Sequence, residues 1–152
     1  MNEAEQLLEL FAGDWVGDEE IAPSKWGEGG QASASISARL DFGGRVLIQD
    51  YCAQRDGKPW FKAYAVIAFD QQTSSYSLHW FDSMGFVPAA AAPGHWDGEA
   101  LRFVRTSPRG LTRHTYIPSA AVSYELILES SFDAGATWGP VMRGHYVRAH
   151  VN

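Results

Sequence analysis

The sequence predicts an all-β fold: an antiparallel up-and-down meander of about ten strands, closed into a barrel and preceded by a short helix. Three observations predict it. Apolar and polar residues alternate along most of the chain with the period of a half-buried strand. The strand-like runs follow one another with short turn signals between them, which joins neighbours as antiparallel hairpins. A helical period occurs only at the start. A meander of this length must hide its edges, and closure hides them completely. A two-sheet sandwich is the alternative, but the chain shows no long crossover connection.

The elements follow in order. Residues 3–11 carry Leu7, Leu8, Leu10 and Phe11 on one helical face, and Gly13 stops the helix. It is about two turns long and must dock on something to persist. A first strand runs to Ile21. Over 32–42 the even residues, Ala32 to Phe42, are apolar and the odd ones polar, and Gly43-Gly44 forms a hairpin turn. Strands over 45–55 and 58–69 flank Asp56-Gly57, and another covers 76–82. Short strands at 95–96 and 100–106 flank Asp97-Gly98, and Pro108-Arg109-Gly110 turns the chain into 111–117. Strands over 122–132 and about 141–151 complete the chain. Two longer loops, 22–30 and 84–94, interrupt this rhythm, with Trp26 and Phe86 at their tips. They are candidate lids or rim packing.

A chain of 152 residues fits a single domain over 1–152 with a core of its own. It is 13% aromatic, with six Trp, six Tyr and eight Phe, more than a minimal core needs. The net charge of -6 speaks against a nucleic-acid partner, which wants a basic stripe. Cys52 is the only cysteine, so no intrachain disulfide forms, which fits a reducing cytoplasm. The acidic start is unlike a signal peptide, and no stretch is long and apolar enough to span a membrane. The expected location is cytoplasmic.

A family resemblance rests on the whole order of motifs. A short helix followed by Gly13-Asp14-Trp15 at the head of a meander barrel resembles the calycins: lipocalins, fatty-acid-binding proteins and their relatives. Phe11 to Gly17, Asp82-Ser83-Met84-Gly85, Asp133 to Trp138 and Tyr146-Val147-Arg148 together resemble an uncharacterised bacterial family, the domain-of-unknown-function family fifteen seventy-nine. The resemblance implies a calycin-like barrel and no particular activity. It also implies that Gly13 permits a bend, that Trp15 plugs the closed end, and that Arg148 stacks on it. By similarity to fatty-acid-binding proteins, Tyr146 and Arg148 would grip a carboxylate. Segment 131–138 is similar to the Asp-box of sialidases, in which the Asp, here Asp133, holds a hairpin turn near Trp138 and performs no catalysis.

Signatures of catalysis are sparse. The chain has no phosphate loop, no His-Glu-x-x-His and no Cys-x-x-Cys. His79 and Asp82 fall on opposite faces of a strand, as do His145 and His150. Neither pair has the i, i+2 spacing that a strand-borne metal site wants, so no metal site is expected. Candidate lumen residues are Arg113, His114, Tyr116, His145, Tyr146 and Arg148, with His79, Trp80 and Trp26 as further ligand contacts. The strand around 60–69 is apolar on both faces, which suggests a covered face or a homodimer.

The leading expectation is a protein that binds a small, mostly apolar molecule, with or without a carboxylate, in its lumen, and uses no cofactor. Gly13-Asp14-Trp15-Val16-Gly17 also resembles the opening of nitrobindins. That alternative implies haem with His145 or His150 as the iron ligand, although 18–23 departs from the nitrobindin pattern. An enzyme or isomerase using His79, His114 and a nearby acid in the cavity, and a filled barrel acting as an interaction module, are the other readings.

Overall fold

In the computed structural model, which describes residues 3–25 and 27–149, the chain forms one helix, ten strands and a closed sheet. The order is α1 (Glu3–Glu9), β1 (Gly13–Ile21), β2 (Gly30–Asp41), β3 (Val46–Arg55), β4 (Lys58–Asp70), β5 (Ser75–Asp82), β6 (Ala92–Trp96), β7 (Leu101–Ser107), β8 (Gly110–Ser119), β9 (Ser123–Ser131) and β10 (Gly139–Arg148). Every strand pairs antiparallel with its neighbours in sequence. β1 then pairs with β10, Trp15 opposite Arg148 and Glu19 opposite Gly144, so no edge is left. The up-and-down barrel expected from the alternation is the observed fold.

Two local departures have physical causes. A single 3-10 turn at Phe42–Gly44 replaces the tight hairpin expected at Gly43-Gly44, and the Asp41 carboxylate caps it by accepting the Phe42 N–H at 2.8 Å. The end of the 84–94 loop belongs to β6, because Ala92 and Gly94 pair with Leu78 and Tyr76. Gly94 is required there, since an added Cβ would collide with the Phe103 ring.

Period two sets the core. Trp15, Ile36, Leu47, Ile67, Leu78, Leu101, Phe103, Tyr124 and Leu126 point inward and are buried. α1 lies across the end where β1 begins and β10 ends, with Leu7, Leu8 and Phe11 in the core. Phe11 meets the Tyr124 ring edge-on at 5.2 Å, and Tyr124 meets Trp15 at 4.9 Å. That end is closed. The opposite mouth is rimmed by the turns after β1, β3, β5, β7 and β9. The turn after β1 is pinned to the wall by Arg55, which donates to the Glu28 and Gly29 carbonyls at 3.3 and 3.1 Å. No helix among the described residues is long and apolar enough to cross a membrane.

Candidate functional site

At the closed end, Arg148 sits 4.2 Å from the centre of the Trp15 ring and donates to the carbonyls of Ala12 at 2.6 Å and Ala121 at 2.8 Å. The Trp15 indole donates to the Phe11 carbonyl at 3.0 Å, tying the helix end to the floor. Gly13 has φ of 113°, and a side chain there would collide with the Arg148 guanidinium. Arg148 is engaged by backbone and indole, far from any ligand entering by the mouth.

Half-way up the lumen the interior turns polar. Glu19, on β1, is fully buried. Its Oε2 accepts hydrogen bonds from the hydroxyls of Tyr51, on β3, and Tyr146, on β10, the latter at 2.6 Å. Burial raises the Glu19 pKa, and the two tyrosine hydroxyls partly offset that rise. Gly17 and Gly144 make room for this arrangement, because a Cβ at either would fall against the Tyr146 ring or hydroxyl.

On the far wall, β8 presents His114 and Tyr116 inward, and β5 presents Trp80. Trp80 and His114 meet edge-on at 4.8 Å, and Tyr51 lies 6.5 Å from Trp80. Tyr146 packs on Tyr124 at 5.0 Å. The ring Glu19, Tyr51, Trp80, His114, Tyr116, Tyr124, Tyr146 therefore runs round the inside of the barrel. Above it Arg105, on β7, donates from Nε to His114 Nε2 at 3.3 Å. An acceptor at Nε2 fixes neutral His114 as the Nδ1–H tautomer. Burial, and then the Arg105 charge, push its pKa down to about 3.

Four atoms of this ring, Glu19 Oε1, His114 Nδ1, Tyr116 OH and Tyr124 OH, are buried without a hydrogen-bond partner. Leaving such a group unpaired costs roughly 1–3 kcal/mol. The Gln49 amide nitrogen, inward on β3, is likewise buried without a hydrogen-bond partner. The lumen thus offers an acceptor, a donor and a hydroxyl inside an aromatic wall.

The candidate residues separate by strand phase. His114, Tyr116, Trp80 and Tyr146 face the lumen together. His79, Arg113 and His145 do not join them, because each is next in sequence to an inward residue and so points outward. Arg113 instead pairs with Glu129 at 3.0 Å and stacks on Trp138 at 4.2 Å. His145 borders an open groove of about 560 Å³ on the outer wall, beside Asp18, Ser33 and Cys52. Trp26 and His150 lie outside the described residues.

His114 is the only inward histidine among the described residues, and its Nε2 is occupied by Arg105. The described part of β10 offers no inward imidazole, so these residues do not fit a haem iron ligated from that strand. No group of three metal-ligating side chains is present among the described residues. At the Asp-box, Asp133 accepts from Ser131 Oγ at 2.8 Å and from Thr137 N at 2.9 Å, which with the Thr137 hydroxyl holds its pKa down at about 2.

Residue type alone does not single out Glu19, Tyr51 and Arg105. The signal for them is phase: counting in twos from Trp15, Leu47 and Leu101 brings each one inside.

Comparisons with known proteins agree with the barrel. The fold is similar to the crystal structure of Rv2717c from M. tuberculosis, with a TM-score of 0.73 at 12% identity over 99% of both chains. It is also similar to the S-type phycobiliprotein lyase CPES from Guillardia theta, with a TM-score of 0.69 at 10% identity over 97% of this chain and 93% of that one. No curated protein matches the sequence. The model of the family described as "Protein of unknown function (DUF1579)" matches residues 2–148, and the chain belongs to that family.

Proposed function

We propose that the protein binds a small, mostly apolar molecule in the half of the barrel nearer its mouth, without catalysing its conversion. The observation that carries this reading is the unpaired set of Glu19 Oε1, His114 Nδ1 and Tyr116 OH inside an aromatic lumen. A barrel needing only a filled core would place apolar groups at these positions. A ligand with a few polar atoms would meet them, as in binding sites that are apolar with a small number of fixed polar contacts. Similarity to a phycobiliprotein lyase supports small-molecule handling by this barrel shape, though at 10% identity it names no ligand. The exposed, lone Cys52 supports a reducing, cytoplasmic setting. The test is a titration with the neutral apolar fluorophore aminoanthracene. A saturable rise at one probe per chain, reversed by Trp80→Ala, is expected. The absence of any saturable signal would overturn the reading.

A second reading has its own observation. Tyr64 and Phe81 are cross-strand partners on the outer wall, 51% and 48% exposed, with Trp60 nearby at 44%. We infer a homodimer through this β4–β5 face. Sedimentation velocity should give a dimer that Tyr64→Lys with Phe81→Lys converts to monomer; a monomeric wild type at all concentrations refutes it.

A further inference from the structure

Arg105 follows Leu101 and Phe103 in the inward row of β7 and holds its guanidinium at the mouth of the lumen, half-buried. Trp80 covers it at 5.6 Å, and its Nε is spent on His114. Among the described residues it forms no ion pair. The carboxylate whose field reaches it is Asp82. Asp82 is held elsewhere: Oδ2 accepts the Trp80 indole N–H at 2.7 Å, and Oδ1 accepts the Met84 amide at 2.9 Å. Among the described residues, the two terminal nitrogens of Arg105 therefore have no carboxylate to bind.

A partly desolvated guanidinium without a counter-ion is unfavourable unless something else supplies the anion. The free edge is a planar fork that matches two coplanar oxygens, and one positive charge matches one negative charge. The inward residues of the half nearer the mouth, Phe61, Ile21, Leu128 and Met142, are apolar and partly or wholly buried.

We propose that Arg105, braced by Trp80 and His114, binds the carboxylate of a mostly apolar carboxylic acid whose chain occupies the lumen. This rests on the small-molecule reading above and adds the charge class of the ligand. It also moves the anion site from Arg148, at the sealed end, to Arg105, at the mouth.

The experiment compares cis-parinaric acid with its methyl ester by fluorescence titration. The two share a chain and differ in the carboxylate. The wild type is expected to bind the acid roughly tenfold or more tightly than the ester, the size of a charge-assisted contact. Arg105→Met should abolish that preference. Arg105→Lys should keep part of it. Arg102→Met, which removes an equal charge from the exposed outer wall, should leave it intact. Equal binding of acid and ester by the wild type, which needs no variant to fold, overturns the Arg105 site alone. So does an acid preference that survives in Arg105→Met. Failure of both probes to bind overturns the small-molecule reading and the anion site with it.

Discussion

The Tyr146 hydroxyl donates a 2.6 Å hydrogen bond to Oε2 of Glu19, joining the last strand to the first through the interior of the barrel. The same two strands pair along the wall, Gly17 opposite Tyr146 and Glu19 opposite Gly144. The closure of the cylinder is thus fastened twice, by backbone outside and by a buried carboxylate inside. Tyr146→Phe keeps the ring and removes only the donor. It should lower stability by about 2 kcal/mol, the usual worth of a hydrogen bond to a charged group, measured by urea unfolding. No change in the midpoint would show that the bond contributes nothing to closure.

The tyrosine reaches the carboxylate only because two glycines yield space. A Cβ at Gly144 would collide with the Tyr146 hydroxyl. Gly144→Ala should cost about 1–3 kcal/mol by overpacking. The cost should shrink in a Tyr146→Ala background, where the obstructing ring is gone. A double-mutant cycle on thermal melts checks the coupling, and additive losses would contradict it.

Glu19 also predicts a pH dependence. Burial raises its pKa in the folded state above the ordinary 4.5, so the folded protein holds this proton more tightly than the unfolded chain does. Its contribution to stability is therefore present below 4.5 and is lost as pH rises through the raised value. His114 acts in the other direction. Its pKa falls from 6.5 to about 3, so acidification from 6.5 towards 3 favours the unfolded chain. Relative to wild type, Glu19→Gln should gain stability as pH rises above 4.5. His114→Gln should flatten the loss below 6.5. Denaturant midpoints taken across pH 4–8 on all three proteins check both signs.

At the sealed end, Arg148→Ala removes the stack on Trp15 and the bonds to the Ala12 and Ala121 carbonyls. A loss of about 2 kcal/mol is expected, with no change in probe binding at the mouth. If Arg148→Ala instead weakened cis-parinaric acid and not its ester, the anion would sit at the floor.

The sequence made the barrel legible because each strand writes its own phase. Ala32 to Phe42 and Val122 to Leu128 alternate cleanly, and short turns leave few ways to connect them. The site was harder to see. Glu19 lies within Asp18-Glu19-Glu20, which looks like a solvated acidic run, yet Trp15 fixes its phase as inward. Arg105 lies in a hairpin arm rich in polar residues, and only Leu101 and Phe103 mark its side. Residue chemistry alone also pairs neighbours that the pleat separates: His79 with Trp80, Arg113 with His114, His145 with Tyr146. The glycine cradle for Tyr146 could not be read at all, since Gly17 and Gly144 are 127 positions apart and meet only when the cylinder closes.

The most direct test is two-dimensional NMR of the labelled protein titrated with cis-parinaric acid, following the Trp80 indole N–H and the backbone amides. A lumen site entered from the mouth predicts saturable shifts at Trp80, Arg105, His114 and Phe61, with residues of α1 and the outer groove near His145 unmoved. Shifts confined to the outer wall, or to the helix end around Trp15, would contradict it.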